Sequence, residues 1–218
     1  MLSSLFSFTP SPLFHTRRPR ALVGLVSGVA CLIVTALSAV PAQAALISTG
    51  ACNDAALSQP FAQWGDSNLY ELVPGGSFEG SLSGWSLSGD AQRSPGSEPY
   101  HATGSTGAYS LALADGASAQ SPFTCVNASY PSFRFFARND GAASTLLVQV
   151  VYKTPLATVA LPLGLVALSG DWRPSLPMLT GSVVTGALAG GTTQAALRFT
   201  ALTGASHIDD VYVDPRMR

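Results

Sequence analysis

Residues Leu72 to Gly89 read Leu-Val-Pro-Gly-Gly-Ser-Phe-Glu-Gly-Ser-Leu-Ser-Gly-Trp-Ser-Leu-Ser-Gly. This stretch decides the fold. A short strand ends at Pro74, glycines turn the chain, the pair Phe78-Glu79 follows, and a Gly/Ser loop leads to a second strand opening at Trp85. Gly75, Gly76, Gly80 and Gly84 mark places where the backbone needs positive φ or close approach to another segment. Neighbours in an extended backbone point to opposite faces. A core Phe78 therefore sends Glu79 outward, unless a bulge turns it back toward an ion or a backbone amine. Trp85 reads as core, and Glu79 taken alone reads as a solvated loop acid.

The same period carries outward from this stretch. The expected strands are Leu69–Val73 and Trp85–Arg93, then Ala108–Leu113 and its partner Ala117–Phe123 across an Asp115-Gly116 hairpin turn. In Ser132–Arg138, Phe133, Phe135 and Ala137 share one face while Arg134, Phe136 and Arg138 share the other. Thr145–Lys153 places Leu146, Val148, Val150 and Tyr152 on one apolar face. Leu156–Leu161 and Leu165–Leu168 read as two short strands separated by Pro162-Leu163-Gly164. Trp172–Leu176 is an edge strand because of Pro174. Residues 180–191 read as a loop or one helical turn, and 193–200 and 207–213 as the last two strands. Nine or ten short strands without an amphipathic helix give an all-β, two-sheet antiparallel sandwich.

The chain has 218 residues, of which 11% are charged. Arg17, Arg18 and Arg20, an apolar run over 21–40 and the Ala42-Gln43-Ala44 site read as a signal peptide spanning residues 1–44. An uncleaved membrane anchor is the rival reading, and Arg17-Arg18 hints at twin-arginine export. The expected organisation is a leader (1–44), an N-terminal arm (45–66) that packs Phe61 and Trp64 on the sandwich, and a single domain (67–218). Removing the three leader arginines leaves eight basic residues against twelve acidic ones. That balance excludes nucleic acid or an anionic membrane surface as a partner class. Of the three cysteines, Cys31 leaves with the leader, so Cys52 and Cys125 are expected to pair in an oxidising compartment. Two free thiols, or pairing with another chain, are the alternatives.

The Gly75-Gly76-Ser77-Phe78-Glu79 and Gly84-Trp85-Ser86-Leu87 segments resemble the opening signature of galactose-binding-like jelly rolls, including carbohydrate-binding modules of families four and nine. Ile208-Asp209-Asp210-Val211 resembles the last strand of those domains. The whole chain is also similar to secreted actinobacterial proteins of unassigned function. The jelly-roll resemblance implies a structural calcium between the first and last strands, held by Glu79 and by Asp210 or Asp209 together with backbone carbonyls. Calcium takes six to eight hard oxygens, and a glycine-rich turn bares carbonyls. Without an ion, Asp209 and Asp210 would cap a strand end and meet Arg198 or Arg173.

Sugar binding needs aromatic platforms flanked by hydrogen-bonding groups. The candidates are Trp172, Tyr100 and His101, with Tyr130 and Tyr152 behind them; each also reads as core or rim packing. Trp172 leads because Asp171 and Pro174 place it near an exposed edge. His101 and His207 are the only histidines after the leader, and a triad could be drawn from His207, Asp209 or Asp210 and a serine. No Gly-x-Ser-x-Gly elbow is present to host one. A paired-carboxylate site cannot be assembled from Glu71, Glu79 and Glu98 by sequence. The expectation is a secreted, non-enzymatic domain that binds an extracellular glycan or cell-envelope surface. The alternative is an extracellular structural or protein-interaction domain with no sugar site.

Overall fold

A computed structural model of the chain describes residues 56–127, 132–153, 157–179 and 192–214. The leader, Cys31, Cys52, Tyr130 and the 180–191 segment lie outside the described residues. The strands are β1 (Glu71–Leu72), β2 (Ser86–Ser88), β3 (Ala91–Pro95), β4 (Tyr109–Leu113), β5 (Ser118–Gln120), β6 (Thr124–Asn127) and β7 (Ser132–Asn139). They continue with β8 (Ser144–Lys153), β9 (Thr158–Leu168), β10 (Arg173–Pro174), β11 (Met178–Leu179), β12 (Thr192–Thr203) and β13 (Ser206–Asp214). The first sheet has the order β10-β7-β13-β4-β3, with β1 on β13 and β11 on β7. The second has the order β2-β5-β12-β8-β9, with β6 on β12. All the pairings are antiparallel. Among the described residues the helical content is one 3-10 turn, Ala62–Trp64. No helix among them is long and apolar enough to cross a membrane.

The core lies between the sheets. Leu146, Val148, Val150 and Tyr152 of β8 meet Phe133 and Phe135 of β7, Leu197 and Phe199 of β12, and Ile208, Val211 and Val213 of β13. This is the period-two pattern expected of a pleated strand. β7 is nonetheless buried on both faces, because the N-terminal arm covers its outer side. There Phe61 stacks on Phe136 at 5.4 Å and meets Tyr70 and Tyr212 edge-on at 5.1 and 5.6 Å. Each such ring pair contributes about 0.5–1.5 kcal/mol beyond its area.

Three strand expectations are corrected. Trp85–Arg93 is two strands: Gly89, at φ +66°, breaks the run, so that β2 joins the second sheet and β3 the first. Asp115-Gly116 is a corner between sheets; β5 pairs with β2 and β12, and β4 with β3 and β13. The two short strands around Pro162 are one strand, β9, with a register shift opposite Val148 and Gln149. A bulge accommodates the proline without ending the strand, because β9 is at the sheet edge.

Candidate functional site

The Phe-Glu turn docks on β13. Val73 N donates to Val211 O at 2.9 Å, and Val211 N donates to Gly76 O at 3.0 Å. A Cβ on Gly76 would lie 2.8 Å from Val73 O and 2.9 Å from Val211 O, so only glycine allows this approach. Phe78 turns inward in the left-handed region, at φ +58°, and its ring packs against Trp85 at 4.9 Å. Trp85 is core, as expected, and its Nε1 donates to Pro74 O at 3.0 Å. Opposite this turn β13 carries a bulge: its pairing with β7 shifts between Asp209 and Tyr212, and Asp210 adopts φ +46°.

The bulge brings four carboxylates into one neighbourhood. Asp209 Oδ2 accepts from Ser97 Oγ at 2.7 Å and from Glu98 N at 2.9 Å, and its Oδ1 accepts from Asp210 N at 2.9 Å. Glu98 accepts from Tyr100 N, and from Ala102 N at 2.9 Å. Glu79 Oε1 accepts from Ala108 N at 2.8 Å and from Tyr109 N at 2.9 Å. Burial, opposed by those hydrogen bonds, lifts Asp209 to about 7. Burial first, then the charges of Asp209 and Glu98, a hydrogen bond with Glu98 and the charge of Glu79, lifts Asp210 to about 9. Burial and the nearby carboxylates likewise raise the Tyr212 phenol.

The structure thus brings Glu79 and the Asp209-Asp210 pair together. It also corrects the reading in which the aspartates meet Arg198 or Arg173: Arg198 is bound to Gln120 at 2.8 Å, and Arg173 is on β10 at the sheet edge. Glu98 was missed as a site residue. It lies in a Pro/Gly/Ser loop that looks solvated in sequence, yet it is 1% exposed. Among the described residues no three acidic, histidine or cysteine side chains form a metal cage by themselves. A cation here would draw on Asp210 and the second oxygen of Glu79, with backbone carbonyls completing the shell. The charge of the cluster suits such an ion. Its other acids have oxygens committed to backbone N–H groups.

The loop that Glu98 and Asp209 anchor carries Tyr100 to the outer face of the first sheet. There Tyr100, Trp64, Trp172, Arg134, Arg138, Asp171, Arg173 and Leu176 line a cleft of about 790 Å³ with Pro99, Gly170 and Pro174. Tyr100 Oη donates to Trp172 O at 2.7 Å, which ties the cleft's two walls together. Trp64 meets Tyr100 edge-on at 5.1 Å, and Arg138 is 5.5 Å from the Trp172 ring centre. Trp172 and Tyr100 therefore share one site. His101 does not join them: at φ +58° it faces a neighbouring groove formed with the arm, and Thr106 Oγ1 lies 3.0 Å from its Nδ1. Tyr152 is a core residue and faces inward. Trp64, Arg134 and Arg138 were not named as site residues. The alternation of β7 does signal the outward direction of both arginines.

His207 finds partners other than the aspartates beside it. Its Nδ1 lies 3.3 Å from Ser110 Oγ, and its Nε2 lies 3.8 Å from Asp140 Oδ1. Burial and the charge of Arg138 lower its pKa against the pull of Asp140. Ser110 is 0% exposed, so this serine cannot reach a substrate carbonyl as the nucleophile of a triad must. Glu98, Asp209 and Asp210 are likewise buried, and the open cleft has a single acid, Asp171, in its lining.

No known sequence family matches the chain, and no curated protein does. Solved structures do match. The Clostridium thermocellum xylanase Xyn10B fragment with CBM22-1 and GH10 modules, complexed with xylohexaose, aligns at 15% identity and TM-score 0.44, over 65% of this chain and 28% of that one. TmCBM61 in complex with β-1,4-galactotriose aligns at 15% identity and TM-score 0.41, over 66% and 98%. The CBM22-1 xylan-binding domain of Paenibacillus barcinonensis Xyn10C aligns at 13% identity and TM-score 0.45, over 65% and 93%. The chain is similar to these carbohydrate-binding modules as a two-sheet antiparallel β-sandwich.

Proposed function

We propose that this chain is an extracellular, non-catalytic domain that binds a glycan in the cleft between Trp64, Tyr100 and Trp172. One observation carries the reading: three aromatic side chains and three arginines line a single open cleft on the outer face of the first sheet. Sugar rings present C–H faces that stack on indole and phenol rings, while hydroxyls take hydrogen bonds from flanking side chains. The hydrogen bond from Tyr100 to the Trp172 carbonyl ties the two aromatic walls together, which supports the reading. The reading includes export through the 1–44 leader, a domain spanning 67–218 with the arm at 45–66, a Cys52–Cys125 disulfide, and a calcium ion beside Glu79 and Asp210. Binding in this scheme belongs to the cleft, and the ion's role is to neutralise the acids under the loop.

A glycan array with the purified protein tests it. Binding to a subset of glycans should weaken at least about tenfold in Trp172→Ala, as expected when a central aromatic anchor is removed. Flat signal across all glycans would instead favour an extracellular structural or protein-interaction domain.

A further inference from the structure

The chemistry of the cleft goes beyond sugar stacking, and we infer that it selects glycans bearing negatively charged sugars, with Arg138 as the residue that reads the charge. This rests on the cleft being the glycan site. Acids outnumber bases in the chain, twelve to eleven. In the cleft lining Arg134, Arg138 and Arg173 stand with one acid, Asp171, and since Asp66 meets the charge of Arg134, Arg138 and Arg173 are the arginines left to act on a ligand.

The arginines differ in what they have left to offer. Arg134 is engaged through each of its three nitrogens. Its Nη1 meets Asp66 at 2.6 Å, and its Nε and Nη2 donate to Ser175 O at 2.9 and 2.7 Å. It forms the floor of the site. Arg138 makes one hydrogen bond, from Nη1 to Asn139 O at 3.1 Å, and a long ion pair of 3.7 Å to Asp140, whose side chain is 60% exposed. A guanidinium has five N–H donors in a planar fork; in Arg138, whose side chain is 25% exposed, both of these contacts fall on Nη1, which leaves Nε and Nη2 to offer. Its place over the Trp172 ring sets a cation beside the stacking platform. A sugar ring on Trp172 would bring a ring carboxylate within reach of that fork, the geometry in which arginine outperforms lysine. His207 stands at 6.3 Å from the same ring, with its pKa lowered by burial and by Arg138, so it adds no charge near neutrality.

The test is binding of the full chain to polygalacturonate, to the same polymer fully methyl-esterified, and to dextran sulfate, by affinity electrophoresis at two salt concentrations. The acid polymer should bind at least about tenfold more tightly than its ester. Arg138→Gln should erase that preference, bringing the affinity for the acid polymer down to the affinity the same variant shows for the ester. Arg138→Lys should recover only part of it, because the charge returns without the fork. Trp172→Ala should weaken both polymers. Equal binding of acid and ester, untouched by Arg138→Gln but lost in Trp172→Ala, would overturn the charge selection and leave the glycan site standing. Retardation of neither polymer, with a flat glycan array, would remove both. Dextran sulfate bound more tightly than polygalacturonate, and equally by Trp172→Ala, would reduce the effect to ion exchange and also overturn the inference.

Discussion

Two clusters of buried charge lie on the first sheet, and they are built in opposite ways. At one, Asp66 of the arm meets Arg134 of β7 at 2.6 Å, and the Tyr70 hydroxyl donates to the same carboxylate at 2.7 Å. Burial alone would raise Asp66, yet Tyr70, Arg134 and the Asn68 amide together hold it below its usual value. At the other, beside the β13 bulge, Asp209 and Asp210 face Glu98 and Glu79, and both aspartates are pushed upward, to about 7 and about 9. The first site is complete within the chain. The second satisfies its hydrogen bonds with backbone amides and the Ser97 hydroxyl but leaves its charge unbalanced. A fold that places one fully neutralised acid and one uncompensated group on the same sheet separates two tasks. The first pins the arm, and the second waits for a proton or a cation.

Breaking the complete site should have the largest effect. Arg134→Met leaves Asp66, whose side chain is 11% exposed, without its cation and also removes a guanidinium packed 4.1 Å from the Phe61 ring centre. Removing one partner of a buried pair costs about 3–5 kcal/mol. Urea unfolding should show a loss of that size, and the double variant Arg134→Met/Asp66→Leu should recover part of it. Full additivity of the two substitutions would mean that the pair is not the arm's lock.

The uncompensated site should respond in the other direction. A carboxyl whose folded pKa lies above its unfolded value of 3.8 gives stability that is complete below that value and is lost as pH rises through the folded one. With chelator present, the thermal midpoint should therefore fall as pH rises from about 4 through 7 to 9. Millimolar calcium should flatten that fall, since a bound cation favours the ionised acids. Asp210→Asn should raise the midpoint at pH 8 in chelator and abolish the calcium response. Asparagine suits the substitution because it tolerates the left-handed backbone found there, φ +46°. A midpoint indifferent to both calcium and pH would contradict the whole account of this cluster.

The contrast also explains what could be read from sequence. Strand alternation gave the inward faces of β7 and β8 correctly, because local period follows from the pleat. The Phe-Glu turn and the Asp209-Asp210 strand could be placed together through the jelly-roll resemblance, since nothing in the spacing alone joins residues 79 and 210. Glu98 could not be found that way. Its burial depends on Asp209, 111 residues away, accepting its amide proton. Sheet exchange at Gly89 and at Gly116 was hidden for a similar reason. A glycine turn looks the same whether the next strand pairs with its predecessor or crosses to the other sheet. The cleft was half visible: Trp172 and Tyr100 were marked by exposure cues, whereas Trp64 and Arg138 reach it only through tertiary packing, and His101 faces elsewhere.

The smallest expected effect concerns the link between the acid cluster and the cleft. Asp209 holds the Glu98 amide, Glu98 holds the Tyr100 amide, and Tyr100 reaches the Trp172 carbonyl. Tyr100→Phe removes only the last of these bonds and keeps the ring against Trp64 and Phe136. A neutral hydrogen bond contributes about 0.5–1.5 kcal/mol to stability, so chemical denaturation should show a change within that range. If Tyr100 does nothing more than pack, glycan affinity should not move. If the bond holds Trp172 in its binding pose, affinity should fall by more than the stability loss predicts, because the ligand must then order the 170–174 segment itself. Equal affinity of wild type and Tyr100→Phe would therefore separate the cleft from the cluster that underlies it.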